Sequence, residues 1–271
     1  MTSLQTTLTL SDGHRIPIFG LGVYKMTDEE ASFSVHKALR YGYRLIDTAA
    51  MYENERAVGS AIREAVVQGI PEEEIYVTTK VWKTELGYEK TKRALEVSYE
   101  KLGLGKINLV LIHWPGTAKE NAESWRAMEE LVHEGKVDSI GVSNFSEDQL
   151  DTLLESAVIK PVVNQVECHP ILSQEKLHQY CQEQDIILQS WSPLMRGRLT
   201  DHPVLKEIAD HYDKDTAQVI LRWNIQREIV PIPKSSKEER IESNANIFDF
   251  ELTDKQMDQI TKLNEEKGVH G

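Results

Sequence analysis

Eight short apolar runs recur along this 271-residue chain, at 19–23, 43–47, 74–80, 107–113, 139–143, 162–167, 186–191 and 229–233. Between them lie longer stretches such as 29–42, 55–69, 88–103 and 123–135, in which apolar residues return every three or four positions. The short runs read as strands and the long ones as amphipathic helices, with Gly42, Gly69, Gly103 and Gly135 at the expected helix ends. Strands alternating with helices force parallel crossovers, hence a closed barrel or a doubly wound sheet. The count of eight, and the lack of any linker-like segment, favour one α/β domain over 1–271, a (β/α)8 TIM barrel. Asp12-Gly13 inside TTLTLSDGHRIPIF predicts an N-terminal β-hairpin. Two extra helices are expected, one in the insertion 192–216 and one over 253–266.

The balance is acidic, 44 Asp and Glu against 31 Lys and Arg, a net charge of −13. Such a surface argues against nucleic acid or an anionic membrane as partner. No apolar run approaches the ~20 residues that span a bilayer, and the N-terminus lacks a signal-peptide pattern. Cys168 and Cys181 have no metal or CxxC spacing and read as buried thiols of a reducing compartment. A soluble, cytoplasmic, monomeric protein is expected.

Strand ends carry the chemistry. Asp47 closes YRLID, Tyr52 follows five positions later, Lys80 closes IYVTTK and His113 closes INLVLIH. C-terminal strand ends are where barrels place their active sites. A lysine beside a tyrosine stabilises phenolate and is expected to lower the phenol's pKa from about 10. A phenol so tuned can protonate a carbonyl oxygen as it becomes an alkoxide, and His113 could orient that oxygen. Metal-assisted hydrolysis would want clustered histidines and carboxylates, and the nine histidines are scattered. No metal is expected.

GLGVYK at 20–25 has GxG without the third glycine or an immediate helix, so a Rossmann pyrophosphate site is not supported. Ser143, Asn144 and Gln165 end the fifth and sixth strands and suit hydrogen bonds to a carboxamide. Trp191, ending the seventh, offers a flat face for an aromatic ring. Lys234, Ser235, Lys237 and Arg240 form a basic cluster after the eighth strand, where barrels often hold phosphate.

GYRLIDTAAMYENERAVGSAI, LIHWP, GVSNF, VNQVECHP, WSPL and IPKSSKEERIESNANIFDFEL occur in the order and spacing of the aldo-keto reductase family, which the chain resembles over nearly its whole length. It is most similar to the short bacterial branch, the glyoxal, methylglyoxal and 2,5-diketo-gluconate reductases. The resemblance implies NADPH bound across the barrel mouth. It implies Tyr52 as proton donor, Lys80 as the cation lowering its pKa, Asp47 as the partner of Lys80 and His113 as carbonyl orienter. For the cofactor it implies Ser143, Asn144 and Gln165 on the nicotinamide carboxamide, Trp191 stacked on the ring, and Ser192 and Leu194 near the pyrophosphate. Lys234, Ser235 and Arg240 would hold the 2′-phosphate and Asn244 the adenine, with Gly22 also counted in the cofactor site. Ser243 stands where the family usually carries glutamate. Tyr24, Trp82 and Trp114, with His113, would line the substrate pocket.

The expected activity is NADPH-dependent reduction of small activated carbonyls, such as methylglyoxal or keto-sugar acids. The alternative is a non-catalytic nucleotide-binding regulatory subunit. No tail long enough to fold over the pocket follows the last helix, so a broad substrate range is expected.

Overall fold

The computed structural model describes residues 2–269. Strands β1 (Thr7–Thr9) and β2 (Arg15–Pro17) form the antiparallel hairpin, turned where Gly13 takes φ +89°. Eight parallel strands follow: β3 (Gly20–Gly22), β4 (Leu45–Asp47), β5 (Tyr76–Val81), β6 (Ile107–Ile112), β7 (Val137–Ser143), β8 (Val163–Glu167), β9 (Ile187–Trp191) and β10 (Val230–Pro231). Each pairs with its neighbours in chain order. Each lies within or overlaps one of the eight apolar runs, so the expected barrel is the observed one.

The outer helices are α1 (Asp28–Arg40), α2 (Glu55–Val67), α3 (Tyr88–Leu102), α4 (Ala118–His133), α5 (Glu147–Leu154), α6 (Glu175–Glu183), α7 (Pro203–Tyr212), α8 (Thr216–Gln226), α9 (Glu238–Ala245) and α10 (Asp254–Thr261). The two extra helices are α7, inserted between β9 and α8, and α10, after the last barrel helix. Helices α1, α4, α5, α8 and α10 begin at reciprocal capping boxes, Thr27 with Glu30 being the first, which satisfy otherwise orphaned N–H groups. None of the described helices is long and apolar enough to cross a membrane.

Apolar burial falls into two layers. The larger lies between strands and helices and contains Val35, Leu39, Ile62, Val110, Trp125 and Trp223. The smaller fills the barrel's lower end, where Leu10 and Ile16 of the hairpin join Leu45, Tyr76, Val163 and Val230 at the starts of their strands. The hairpin thus plugs the end opposite the strand C-termini and leaves the other end open.

The seam between β3 and β10 is narrow. It consists of a parallel bridge between Gly22 and Lys234, with the Gly22 N–H donating to Pro233 O at 3.2 Å. A Cβ on Gly22 would meet Ile232 O at 2.9 Å, so only glycine lets the two backbones approach this closely. Helices brace the seam from outside. Lys37 Nζ reaches Glu238 at 2.8 Å, the Tyr41 hydroxyl donates to the same carboxylate at 3.1 Å, and the Tyr43 hydroxyl donates to Ile241 O at 2.7 Å.

Candidate active site

The four predicted catalytic side chains converge at the open end. Asp47 is the last residue of β4, Lys80 sits one residue before the end of β5, and His113 follows β6 directly. Tyr52 comes from a 3₁₀ turn, Ala50–Tyr52, ended by Glu53 in the left-handed region at φ +61°. Lys80 Nζ donates to Asp47 Oδ1 at 2.6 Å, to Thr48 O at 2.9 Å and to the Tyr52 hydroxyl oxygen at 3.3 Å. All three ammonium donors therefore have partners. The Tyr52 ring lies 5.6 Å from the His113 ring, edge to face. His113 Nδ1 is buried without a hydrogen-bond partner.

Electrostatics correct one expectation. Burial raises the Tyr52 pKa well above 10, and the Asp47 charge raises it further. Lys80 at 3.3 Å does not outweigh them, so the phenol is held protonated. Burial also pushes the Asp47 carboxyl up and the Lys80 ammonium down from their ordinary values, while each partner's charge opposes the shift. Burial, aided by Lys80, pushes His113 from 6.5 down to about 2. Its imidazole is neutral at any ordinary pH.

The residues assigned to the carboxamide already bond one another. The Ser143 hydroxyl donates to Gln165 O at 2.7 Å, and Asn144 Nδ2 donates to His113 O and Ser143 Oγ, each at 3.0 Å. Asn144 holds a φ of +62°, and its Oδ1 accepts from Trp191 Nε1 at 2.9 Å. Gln165 Nε2 donates to Asp47 Oδ2 and to Gln189 Oε1, both at 2.7 Å. Ser192 has φ +53°, and Leu194 precedes a second 3₁₀ turn, Met195–Gly197.

On the far side, Lys234 and Arg240 are exposed, and their side chains form no ion pair or hydrogen bond among the described residues. Ser235 is buried and bonds the Lys237 backbone through its hydroxyl. Arg240 and Asn244 lie one turn apart on α9, with Asn244 buried. The Ser243 hydroxyl donates to Asp215 Oδ2 at 3.1 Å, tying α9 to the start of α8. Gly22 sits at the barrel seam beside Lys234, and its lack of a side chain serves closure.

Around the mouth, Tyr24 packs on Tyr52 with centroids 5.0 Å apart, and Trp82 packs on His113 at 5.0 Å. Trp114 is 42% exposed and lines, with Trp191, Phe145 and Leu177, an adjoining cavity of about 580 Å³. Glu147, Asp148 and Glu167 also line it, and among the described residues no Lys, Arg or His does. The chain after α10 runs back over the loop following β8. The Glu265 and Lys267 N–H groups donate to Ile171 O at 3.0 and 3.3 Å, and that of Val269 to Glu167 Oε1 at 2.5 Å. Its described residues do not line the cavity but brace one wall.

Sequence reasoning passed over several supporting residues. Asn54 accepts from Thr48 Oγ1 at 2.9 Å and donates to Val23 O at 3.0 Å and Met26 O at 3.2 Å, fixing the Tyr52 turn against the Tyr24 loop. Glu55 is buried and accepts from Thr79 Oγ1 at 2.6 Å. Both stand inside the quoted motif, three residues or fewer from Tyr52, but polar residues at a helix start read ordinarily as caps. Gln189 is fully buried inside the barrel.

A family model described as the aldo/keto reductase family matches residues 18–265. A glyoxal reductase of Bacillus subtilis is 51% identical over 269 residues, covering 99% of this chain and 96% of that one. The crystal structure of MGS-M4, an aldo-keto reductase from a Medee basin deep-sea metagenome library, superposes with a TM-score of 0.94 at 44% identity, covering 96% of each chain. The Bombyx mori aldo-keto reductase AKR2E4, in complex with NADP, superposes with a TM-score of 0.93 at 35% identity, covering 99% of this chain and 95% of that one. Fold and family match define an oxidoreductase barrel. The chain belongs to the aldo/keto reductase family.

Proposed function

We propose that the protein reduces small activated aldehydes and ketones to alcohols with NADPH, in the cytoplasm, as a monomer. The observation that carries the reading is the Tyr52 hydroxyl held 3.3 Å from the buried Lys80 amine at the open barrel end. Bound NADPH would supply a hydride to the carbonyl carbon. Tyr52 gives its proton to the carbonyl oxygen as negative charge develops there, and Lys80 stabilises the phenolate left behind. Asp47 keeps Lys80 charged despite its burial. Neutral His113 has a ring N–H available to hold the carbonyl oxygen beside Tyr52.

The chain has the groups such a cofactor needs. Gln165 Oε1 makes no hydrogen bond within the described residues, and Lys234 and Arg240 are unpaired cations on an acidic protein. Ser143, Asn144 and Gln165 would hold the carboxamide, with Trp191 under the ring and Ser192 and Leu194 along the pyrophosphate. Lys234, Ser235 and Arg240 would take the 2′-phosphate and Asn244 the adenine. The substrate would enter between Tyr24, Trp82 and Trp114.

Between the two substrate types considered, methylglyoxal-like neutral dicarbonyls suit the cavity better than keto-sugar acids. Its lining, among the described residues, carries three carboxylates and no Lys, Arg or His, so an anionic substrate tail meets like charge. The test is NADPH oxidation followed with methylglyoxal, a neutral aromatic aldehyde and a 2-keto acid. Turnover is expected with the first two, with kcat/KM at least tenfold lower for the acid. A protein that binds NADPH but oxidises it with no carbonyl would instead fit the nucleotide-binding regulatory role.

A further inference from the structure

Gln189 has no place in the reaction described above, yet it is buried at the centre of the barrel and its amide nitrogen has no partner. It lies on β9 in register with Gln165 of β8, and Gln165 Nε2 donates to its Oε1 at 2.7 Å. The same Nε2 donates its second proton to Asp47 Oδ2 at 2.7 Å. Gln189 Nε2 is buried without a hydrogen-bond partner.

Donor–acceptor matching fixes both amides. An ionised Asp47 only accepts, so Gln165 must turn its NH₂ towards it. With one N–H on Asp47, the other needs an acceptor, and Gln189 supplies it only by turning its own NH₂ away. The orphaned Gln189 nitrogen is the consequence, at a cost of about 1–3 kcal/mol for a buried unpaired donor. An isolated pair of amides would gain nothing from that arrangement. It leaves Gln165 Oε1 as the one unused acceptor of the network, on a residue at the level where β8 meets the barrel mouth.

We infer that Gln189 is a positioning residue for the cofactor: it locks the Gln165 amide so that Oε1 presents an acceptor to the nicotinamide carboxamide N–H. The inference rests on the NADPH reading above. The lock also joins the carboxamide site to Asp47, and through it to Lys80 and Tyr52.

The test compares three ligands by quenching of intrinsic fluorescence. They are NADPH, its 3-acetylpyridine analogue, which lacks the amide N–H donors, and 2′,5′-ADP, which lacks the nicotinamide. Wild-type protein should bind NADPH more tightly than the analogue. Gln189→Met removes the acceptor at similar volume, and should weaken NADPH by roughly five- to tenfold, the loss of one ordinary hydrogen bond. Affinities for the analogue and for 2′,5′-ADP should not change, and Tm should shift little because the Gln165 N–H left without an acceptor is offset by loss of the unpaired Gln189 nitrogen. Gln189→Leu serves the same purpose if methionine is not tolerated, and Gln189→Glu, which keeps an acceptor, should restore the preference for NADPH.

Equal NADPH affinity in wild type and Gln189→Met overturns the inference alone. Equal weakening of all three ligands also overturns it, since that is general damage. A wild-type protein that quenches with none of them overturns the cofactor reading as well.

Discussion

Tyr52 is held neutral by burial and by Asp47, and that is the state a proton donor must occupy before reaction. Tyr52→Phe keeps the ring volume against Tyr24 and His113 but removes the proton. Turnover of methylglyoxal is expected to fall by on the order of 10²–10⁴-fold, with NADPH quenching retained. His113 supplies a second expectation at this scale. Folded, it titrates near 2, against 6.5 for an unperturbed histidine. Between those values the unfolded chain binds a proton that the folded chain does not, so stability declines as pH falls below 6.5 and the loss levels off only near 2. At pH 4.5 the contribution of this one residue is roughly 2–3 kcal/mol. Urea midpoints at pH 7 and 4.5 should therefore converge in His113→Gln relative to wild type, and an unaltered pH dependence would count against a buried neutral imidazole.

Sequence parity explains why some of these residues were legible and others were not. Asp47, Lys80 and His113 are polar groups ending apolar runs, and it is their recurrence on consecutive strands that sets them apart from an ordinary buried pair or core histidine. Gln189 shares its strand face with Ile187 and Trp191, so period-two alternation does put it inside the barrel. Nothing in the sequence says that its partner is Gln165, because that contact depends on the register between β8 and β9. The direction of the Tyr52 shift was equally hidden: a neighbouring lysine can be read from spacing, whereas the degree of burial cannot.

Among the elements, α9 and the loop before it carry the basic residues proposed to take the 2′-phosphate. Lys234 ends up beside the seam and Arg240 on the first turns of the helix, both without ion-pair partners among the described residues. Arg240→Ala is expected to raise KM for NADPH by about tenfold, as loss of a charge-assisted contact does, and to leave KM for NADH nearly unchanged. The side chain is exposed, so stability should move by no more than about 0.5 kcal/mol. Parallel effects on the two dinucleotides would argue for a structural role. Element positions were readable throughout, since apolar periodicity marks them. The 3₁₀ turn that carries Tyr52 was not, because a three-residue turn has no period to detect; the sequence signalled only that the tyrosine lies beyond a strand.

For the whole molecule, the barrel's closure joins the chain's beginning to its end. The pairs from β4 to β6 that gather Asp47, Tyr52, Lys80 and His113 link segments close in sequence. The Gly22–Lys234 bridge instead closes a loop of more than 200 residues, which is entropically the costlier step. A folding chain should therefore assemble its proton-transfer groups early and acquire a phosphate grip only when the ring shuts. The same order should persist in the native state as breathing. Amide hydrogen exchange at Gly22 is expected to outpace that of the central strands, and 2′,5′-ADP, which needs no nicotinamide contact, should slow it. The ligand would then act as a clasp, and this enzyme would be at its most open, and most exposed to proteases, when its cofactor is scarce.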